Sequence, residues 1–322
     1  MTPATLPPCP AAALTRLCDI DDLDRSSALA LLDRAQALHA AALGRAPALS
    51  SLAGRTVVNL FFENSTRTRT SFSLAARRLG AEVVDFQAHT SSAGKGESLL
   101  DTWATLRAMG CDAFIVRHSE DGAVAGLADR IGQLEGDTGS PVINAGSGRR
   151  AHPTQALLDA LTIRQRKPDL SALTVAIIGD IRHSRVARSN LKLLPMLGIG
   201  ELRVAAPPAL QADELPPGVR RLDAIEPALA GADVVMMLRL QRERMAAAQV
   251  ADGEAYFRDW GLPSRRLALA APAALVMHPG PINREVEIAS EVADGSQSVI
   301  LTQVGNGVAV RMAVLEAVLS GR

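Results

Sequence analysis

Short apolar runs alternate with stretches of helical periodicity along the first half of the chain. Runs that are mostly apolar and too short for a helix are typical of strands buried on both faces. Such runs occupy residues 57–62, 82–86, 113–117 and 142–145. Apolar positions at helical spacing occur at residues 20–42, 68–79, 98–109 and 123–133. Strands that alternate with helices favour a parallel sheet covered by helices, the α/β class.

The same alternation begins again after a long helical stretch at residues 152–166. Strand-like runs follow at residues 174–179, 201–205, 234–239 and 274–277. A chain of 322 residues suits two domains of about 150 residues each. We therefore predict two doubly wound domains, residues 1–151 and 152–300, joined by interdomain helices. Residues 298–319 predict a closing helix interrupted near Gly305 and Gly307, and we expect the segment 301–322 to pack back on the first domain.

Charge and composition exclude several classes of protein. The 34 basic and 34 acidic residues balance, so no general attraction to nucleic acid or acidic membranes is expected. No apolar run reaches the ~18 residues of a membrane span, and Met1 is not followed by a signal-peptide pattern. Cys9, Cys18 and Cys111 show neither CxxC pairing nor metal-ligand spacing. We therefore expect a protein of the reducing cytoplasm.

The first candidate site lies where the strand at residues 57–62 ends. A run of hydroxyl and guanidinium side chains stands at the start of the next helix: Ser65, Thr66, Arg67, Thr68 and Arg69. A helix N-terminus offers unpaired N–H groups and the positive end of the helix dipole. Capping accounts for one or two of the hydroxyls but not for the whole run. The segment therefore predicts an anion cradle, most naturally for a phosphate.

Two further segments of the first half carry candidate ligand-binding groups. Residues 90–97 place Ser91 and Lys95 in a glycine-containing loop that lacks Walker spacing, and on its own a plain flexible loop is the simpler interpretation. Arg117 ends a strand, where ligands of α/β sheets bind, whereas we expect the neighbouring His118 to be structural. Both segments thus follow predicted strands.

The segment His152-Pro153-Thr154-Gln155 opens the long helix. Proline is favoured at the first helical position, so His152 is expected at the positive helix end, where protonation is disfavoured. A neutral imidazole that donates a hydrogen bond to a carbonyl is the predicted role, with a capping histidine as the alternative. Gln155 offers both a donor and an acceptor.

Three motifs follow strands of the second half. Residues 179–185 have three basic side chains, Arg185 among them, but lack the GxGxxG fingerprint of a dinucleotide site. A second basic motif, Arg239-Leu240-Gln241-Arg242-Glu243-Arg244, follows the next strand but one. The third is His278-Pro279-Gly280-Pro281, a rigid kink in which a cis bond before Pro281 stays open. Such a kink presents backbone carbonyls in fixed directions, which suits an amine or amide ligand.

These motifs together resemble the aspartate/ornithine carbamoyltransferase family. Residues 65–69 match its carbamoyl-phosphate signature and residues 152–155 its second hallmark. The aspartate-specific members are the closer match, because residues 239–241 resemble their Arg-x-Gln element and residues 278–281 their substrate-proximal turn, with Gly280 where many relatives have Leu or Ala. The His-Cys-Leu-Pro and Asp-x-x-x-Ser-Met-Gly elements of ornithine-specific members do not occur in the sequence.

The resemblance implies transfer of the carbamoyl group from carbamoyl phosphate to the α-amine of L-aspartate, the committed step of pyrimidine biosynthesis. The phosphate would be held by Ser65, Thr66, Arg67 and Thr68. The carbonyl oxygen would be polarised by Thr68, Arg117 and His152. The carbamoyl NH2 would be oriented by Gln155 and the carbonyls near Pro279 and Gly280. Aspartate would be held by Lys95, Arg185, Arg239 and Gln241. Positioning and charge stabilisation suffice, so we expect no metal or organic cofactor.

The resemblance also implies a homotrimer in which Ser91 and Lys95 reach the active site of a neighbouring subunit. Regulatory or dihydroorotase-like chains stay open as further partners. Glu63, Glu243 and Arg244 are candidates for contacts that close the two domains around the substrates.

Three alternatives are weaker. An ornithine-type or acylated-ornithine enzyme would need an acidic group for a distal ammonium, whereas the second-half motifs are mainly positive. Arg185 and Arg239 can instead each pair with one carboxylate of aspartate. A non-catalytic scaffolding subunit would have lost key site residues, which are present. A nucleotide-dependent dehydrogenase lacks its glycine fingerprint.

Overall fold

The structure, a computed structural model, describes residues 14–87, 97–136, 139–241 and 253–319. The chain forms two compact units. The first extends to Leu161, beyond the boundary predicted at residues 151–152, and also includes the chain from Gly305 onward. The second comprises Thr162–Val304. Among the described residues, no helix combines the length and apolar character needed to cross a membrane.

The first unit contains a five-stranded parallel sheet. Its strands are β1 (Arg16–Leu17), β2 (Thr56–Phe61), β3 (Glu82–Gln87), β4 (Ala113–His118) and β5 (Val142–Ser147), in the order β1-β5-β4-β2-β3. Its helices are α1 (Arg25–Ala42), α2 (Thr66–Arg78), α3 (Leu99–Ala108), α4 (Ala123–Glu135) and α5 (Pro153–Arg166), the last of which continues into the second unit. Phe61 lies opposite Arg117, and His118 opposite Ser147. The segments that follow β2, β4 and β5 therefore start at one edge of the sheet.

Local chemistry explains the central elements of this unit. β2 is buried from Val57 to its end, as a strand covered on both faces requires. Its one polar core residue is Asn59, whose NH2 group donates to Ser73 Oγ at 2.9 Å and to Asp85 Oδ1 at 2.8 Å. α1 begins later than predicted, because residues 20–22 form a 3₁₀ turn and Asp24 caps the helix.

The second unit contains another five-stranded parallel sheet. Its strands are β6 (Thr174–Ile178), β7 (Glu201–Ala205), β8 (Val219–Leu222), β9 (Val234–Met237) and β10 (Leu275–Met277), in the order β10-β9-β6-β7-β8. Its helices are α6 (Arg185–Leu197), α7 (Ile225–Leu229), α8 (Gly253–Trp260), α9 (Ser264–Leu267) and α10 (Ser290–Ala293). The predicted α/β class with two parallel sheets is confirmed. β8 was not predicted, because Arg220 and Arg221 on this edge strand are exposed and leave no apolar run.

The last helix corrects one prediction. α11 (Ile300–Leu319) is continuous, so the predicted interruption near Gly305 and Gly307 is wrong. Both glycines sit where the helix packs closely. A Cβ on Gly307 would lie 2.7 Å from Arg311 Nη1, and one on Gly305 would lie 3.1 Å from Leu43 Cδ2. Glycine here provides space for neighbouring side chains rather than a break in the helix.

Candidate active site

The predicted anion cradle forms the start of α2. Ser65 is the N-cap residue, with an extended backbone, but its side chain makes no capping hydrogen bond. Its carbonyl accepts the hydrogen bond of Arg69 N at 3.1 Å, so the N–H groups of residues 66–68 lie in the first helical turn, where no carbonyl of the helix itself is placed to accept them. Thr66 and Arg67 are exposed, whereas Thr68 is buried. The Ser65 side chain therefore does not cap the helix, which was the alternative to ligand binding.

Arg117 is fixed at the adjacent strand end. It is only 7% exposed, and its Nη1 donates to Ala145 O at 3.0 Å. Its Nη2 forms an ion pair with Glu63 Oε1 at 2.9 Å, so Glu63 makes a contact within the first unit. Because both contacts hold the guanidinium, its orientation is set before any ligand binds. The neighbouring His118 accepts from Glu120 N through Nδ1 at 3.1 Å, a local contact.

His152 and Gln155 lie at the start of α5. His152 is buried and directly precedes Pro153, and its carbonyl accepts from Gln155 N at 3.0 Å. The Gln155 side chain donates from Nε2 to Asp159 Oδ1 at 3.0 Å. Because the NH2 end of this amide is engaged by a carboxylate, Oε1 is the end that can accept from a ligand. Asp159, which is fully buried, was not predicted.

In the second unit, the structure brings the turn before α6 together with Gln241. Asp180 is fully buried; its Oδ1 accepts from His183 N at 3.1 Å and lies 2.9 Å from His183 Nδ1. Gln241 N donates to Asp180 Oδ2 at 3.4 Å, and Gln241 Nε2 donates to His183 O at 3.2 Å. Arg185 is buried at the first position of α6. The two motifs that carry Arg185 and Gln241 are therefore neighbours.

Glu287 is a second carboxylate that sequence reasoning missed. It is fully buried and accepts from Leu240 N at 2.8 Å, Asn283 Nδ2 at 2.7 Å and Asn283 N at 2.9 Å. Burial raises the pKa of Glu287. Through its hydrogen bond from Leu240 N, Glu287 anchors the segment that carries the half-buried Arg239. No sequence signal identifies it, since a lone Glu after a Pro-rich turn looks like a surface residue.

The turn after β10 is held from both sides. His278 N donates to Gln303 Oε1 at 3.0 Å, and Gly280 N donates to His278 Nδ1 at 2.9 Å. The bond between Gly280 and Pro281, whose isomer the sequence left open, is cis. Pro279 and Gly280 are partly exposed, as carbonyls that bind a ligand would need to be.

Four of the predicted residues lie outside the described residues: Ser91, Lys95, Glu243 and Arg244. Within the described ranges, no group of three or more His, Cys, Asp or Glu side chains could hold a metal ion.

Both halves of the chain match models of one family. Residues 16–165 match the carbamoyl-P binding domain of aspartate/ornithine carbamoyltransferase, and residues 171–318 match its Asp/Orn binding domain. The aspartate carbamoyltransferase catalytic subunit of Xanthomonas campestris pv. campestris (strain B100) is 54% identical over 308 residues, 95% of this chain and 96% of the relative. That of Stenotrophomonas maltophilia (strain K279a) is 54% identical over 309 residues, with the same coverage.

Solved structures agree with the sequence relatives. Aspartate transcarbamoylase from Trypanosoma cruzi in complex with carbamoyl phosphate and aspartate has a TM-score of 0.85 and 32% identity, covering 98% of this chain and 100% of that one. The same enzyme with N-(phosphonacetyl)-L-aspartic acid has a TM-score of 0.84 and 33% identity, covering 97% and 99%. The predicted resemblance is confirmed. The chain belongs to the aspartate/ornithine carbamoyltransferase family.

Proposed function

We propose that this chain catalyses carbamoyl transfer from carbamoyl phosphate to L-aspartate, giving N-carbamoyl-L-aspartate and phosphate. In pyrimidine biosynthesis this is the committed step. Relatives that are 54% identical are named aspartate carbamoyltransferase catalytic subunits. One observation in the structure favours aspartate over an ornithine-like amino acid as the acceptor of the carbamoyl group. The carboxylates of Asp180 and Glu287, beside the acceptor-side motifs, accept from backbone N–H groups of Gln241 and Leu240.

This arrangement favours an anionic acceptor. Asp180 and Glu287 are fully buried and occupied by protein donors, so neither is presented to the distal ammonium of an ornithine-like substrate. Arg185 and Arg239 give this side positive charge, and each guanidinium suits one carboxylate of aspartate. Gln241 would contact the same substrate through its amide oxygen, because its NH2 end already donates to His183 O.

The phosphate side rests on the cradle at the start of α2. Ser65, Thr66, Arg67 and Thr68 would hold the phosphate with hydroxyls, a guanidinium and the N–H groups of the first helical turn. Positive charge and N–H donors at this place also stabilise phosphate as it leaves. The hydroxyl of Ser65 makes no capping hydrogen bond to α2, which supports this role.

The oxyanion of the tetrahedral intermediate would be stabilised by Thr68, Arg117 and His152. Each donor of this kind is commonly worth ~3 kcal/mol, because it is oriented before charge develops. The contacts of Arg117 with Ala145 O and Glu63 supply that preorganisation. Gln155 and the carbonyls of Pro279 and Gly280 would orient the carbamoyl NH2.

The attacking α-amine must lose a proton. We assign no general base, since the departing phosphate can accept the proton itself while the C–O bond to phosphate breaks. The electron pair of the amine forms the new C–N bond, and that of the broken bond leaves with phosphate. Positioning of two bound substrates accounts for the remaining acceleration.

We further infer a homotrimer in which Ser91 and Lys95 complete the site of a neighbouring subunit. A cytoplasmic location accords with the buried thiols Cys18 and Cys111.

Turnover of the two amino acids tests the proposal directly. Purified protein is incubated with carbamoyl phosphate and either L-aspartate or L-ornithine, and ureido product and phosphate are measured together. We expect turnover of aspartate alone. Arg239→Ala should raise KM for aspartate by about 100-fold, since it removes a bidentate carboxylate contact, whereas the exposed Arg220→Ala on β8 should not change it. Turnover of ornithine but not aspartate would overturn the proposal.

A further inference from the structure

Arg311 is a buried cation in the middle of α11. It is 4% exposed, and its guanidinium carbon lies 4.8 Å from the ring centroid of Phe72 in α2. Burial lowers the pKa of Arg311 to about 10, and nearby Asp159 opposes that shift. Arg311 is therefore still protonated at neutral pH. A buried charge of this kind is unfavourable unless partners compensate it, so its contacts matter.

The first contact leads to the anion cradle. Arg311 Nη1 donates to Ser71 Oγ at 2.6 Å, and Ser71 Oγ donates in turn to Thr68 O at 2.9 Å. Thr68 is one of the cradle residues. Arg311 thus fixes the first turns of α2 from behind the cradle, through one hydroxyl.

The second connection leads to Gln155. Asp159 is the anion that favours the charged form of Arg311, and it is fully buried. Its Oδ1 accepts from Gln155 Nε2 at 3.0 Å. The same carboxylate therefore balances the buried cation and sets which end of the Gln155 amide can accept from a ligand. The two connections join the phosphate cradle to the residue that would orient the carbamoyl group.

Gly307 makes room for this arrangement. A Cβ at this position would lie 2.7 Å from Arg311 Nη1 and 3.3 Å from Leu158 Cδ2. Glycine is unfavourable inside a helix, so its presence there needs a reason such as close packing. The nitrogen that Gly307 accommodates is the one that donates to Ser71.

We propose that Arg311 and Asp159, with the space left by Gly307, are positioning residues that hold the phosphate cradle and the Gln155 amide in one fixed geometry. This inference rests on the proposed function, because it assigns the two connected elements to carbamoyl phosphate. It predicts a selective effect: loss of Arg311 impairs carbamoyl phosphate binding and leaves the recognition of aspartate intact.

The test compares Arg311→Met, Arg311→Lys and Gly307→Ala with two controls on the same helix. Glu316→Gln disrupts the buried ion pair between α11 and Arg34 of α1, which does not involve the cradle helix α2. Gly305→Ala adds a methyl group that meets only Leu43 Cδ2 within 4 Å. Steady-state KM values are measured for each substrate with the other saturating. Binding of phosphonacetamide, a stable analogue of carbamoyl phosphate, is measured by calorimetry, and melting temperatures are recorded.

We expect Arg311→Met to raise KM for carbamoyl phosphate and Kd for phosphonacetamide by about 10-fold, the effect of losing one preorganised charged contact. KM for aspartate should change by less than about 2-fold. Arg311→Lys keeps the charge, so its KM and Kd values should lie between those of Arg311→Met and wild type. Gly307→Ala should raise the same two constants, but by less than Arg311→Met. Gly305→Ala and Glu316→Gln should retain wild-type KM values, even where the melting temperature falls.

Two results would overturn the inference: an unchanged Kd for phosphonacetamide in Arg311→Met, or an equal rise in Glu316→Gln. The second would show a general effect of a weakened α11. Failure of the proposed function looks different, because wild-type protein would then not carbamoylate aspartate at all. The calorimetric comparison measures ligand binding at the cradle and does not require turnover.

Discussion

Glu287→Gln is the sharpest test of how the aspartate side is built. Oε1 of Glu287 accepts from Leu240 N and Asn283 Nδ2, and Oε2 accepts from Asn283 N. Both carboxylate oxygens accept from N–H groups, so an amide must set its NH2 group against an N–H group. The shape of the side chain is kept while one acceptor is lost.

The magnitude follows from counting these donors. An NH2 group in the place of Oε1 would lose two hydrogen bonds, whereas one in the place of Oε2 would lose only that of Asn283 N. The second orientation is therefore favoured, and one buried N–H left unsatisfied costs about 1–3 kcal/mol. Removing a buried carboxylate, whose pKa burial raises, offsets part of this. We expect a net loss of about 1.5 kcal/mol in the free energy of unfolding.

The functional effect should be confined to aspartate. In the favoured orientation the new NH2 group faces Asn283 N, so the end of the side chain is pushed away and the oxygen that accepts from Leu240 N shifts with it. Leu240 lies between Arg239 and Gln241, so a shift of its backbone moves both ligand-binding side chains. A loss of about 1.4 kcal/mol in binding corresponds to a 10-fold higher KM for aspartate. The assay is KM for each substrate, with denaturant unfolding alongside. Glu285→Gln is the matched control, because exposed Glu285 accepts from Ser290 N and an amide oxygen can replace that contact. An unchanged KM for aspartate in Glu287→Gln would refute the reasoning.

Three further outcomes are expected. Arg117→Met should lower kcat by about 100-fold or more, whereas Glu63→Gln, which keeps an acceptor for the guanidinium, should lose much less; equal losses in kcat would assign the effect to the ion pair. Subunits carrying Arg67→Ala mixed with subunits carrying Lys95→Ala should regain about a quarter of wild-type activity if neighbouring subunits share sites, and no recovery would argue against sharing. Arg203 lowers the pKa of Glu201 to about 2; this stabilisation is present above the usual pKa of 4.5 and lost as pH falls toward about 2. Glu201→Gln should therefore flatten acid unfolding in that window, measured by circular dichroism.

Much of the fold was predictable because buried parallel strands leave continuous apolar runs in the sequence. Residues 57–62, 113–117 and 201–205 were found within one residue of the strands in the structure. The errors arise where that signal is absent. β8 is an exposed edge strand, and β1 has only two residues. The glycines of α11 pack against Leu43 and Leu158, which are far away in sequence, so no local pattern reveals that the helix continues through them.

The sequence by itself determined the chemistry of this protein: the hydroxyl and arginine cluster at residues 65–69, the histidine before Pro153, and the acceptor-side arginines. These residue types, each directly after a strand, are local features. Only the tertiary structure decided how they are held. Asp159, Asp180, Glu287 and Arg311 are charged residues that look like surface positions in the sequence, yet each is buried. Their distant partners, such as Gln241 for Asp180, Leu240 for Glu287 and Ser71 for Arg311, become neighbours only when the chain folds, because hydrogen bonds and charge pairing act over a few ångströms in space rather than along the sequence.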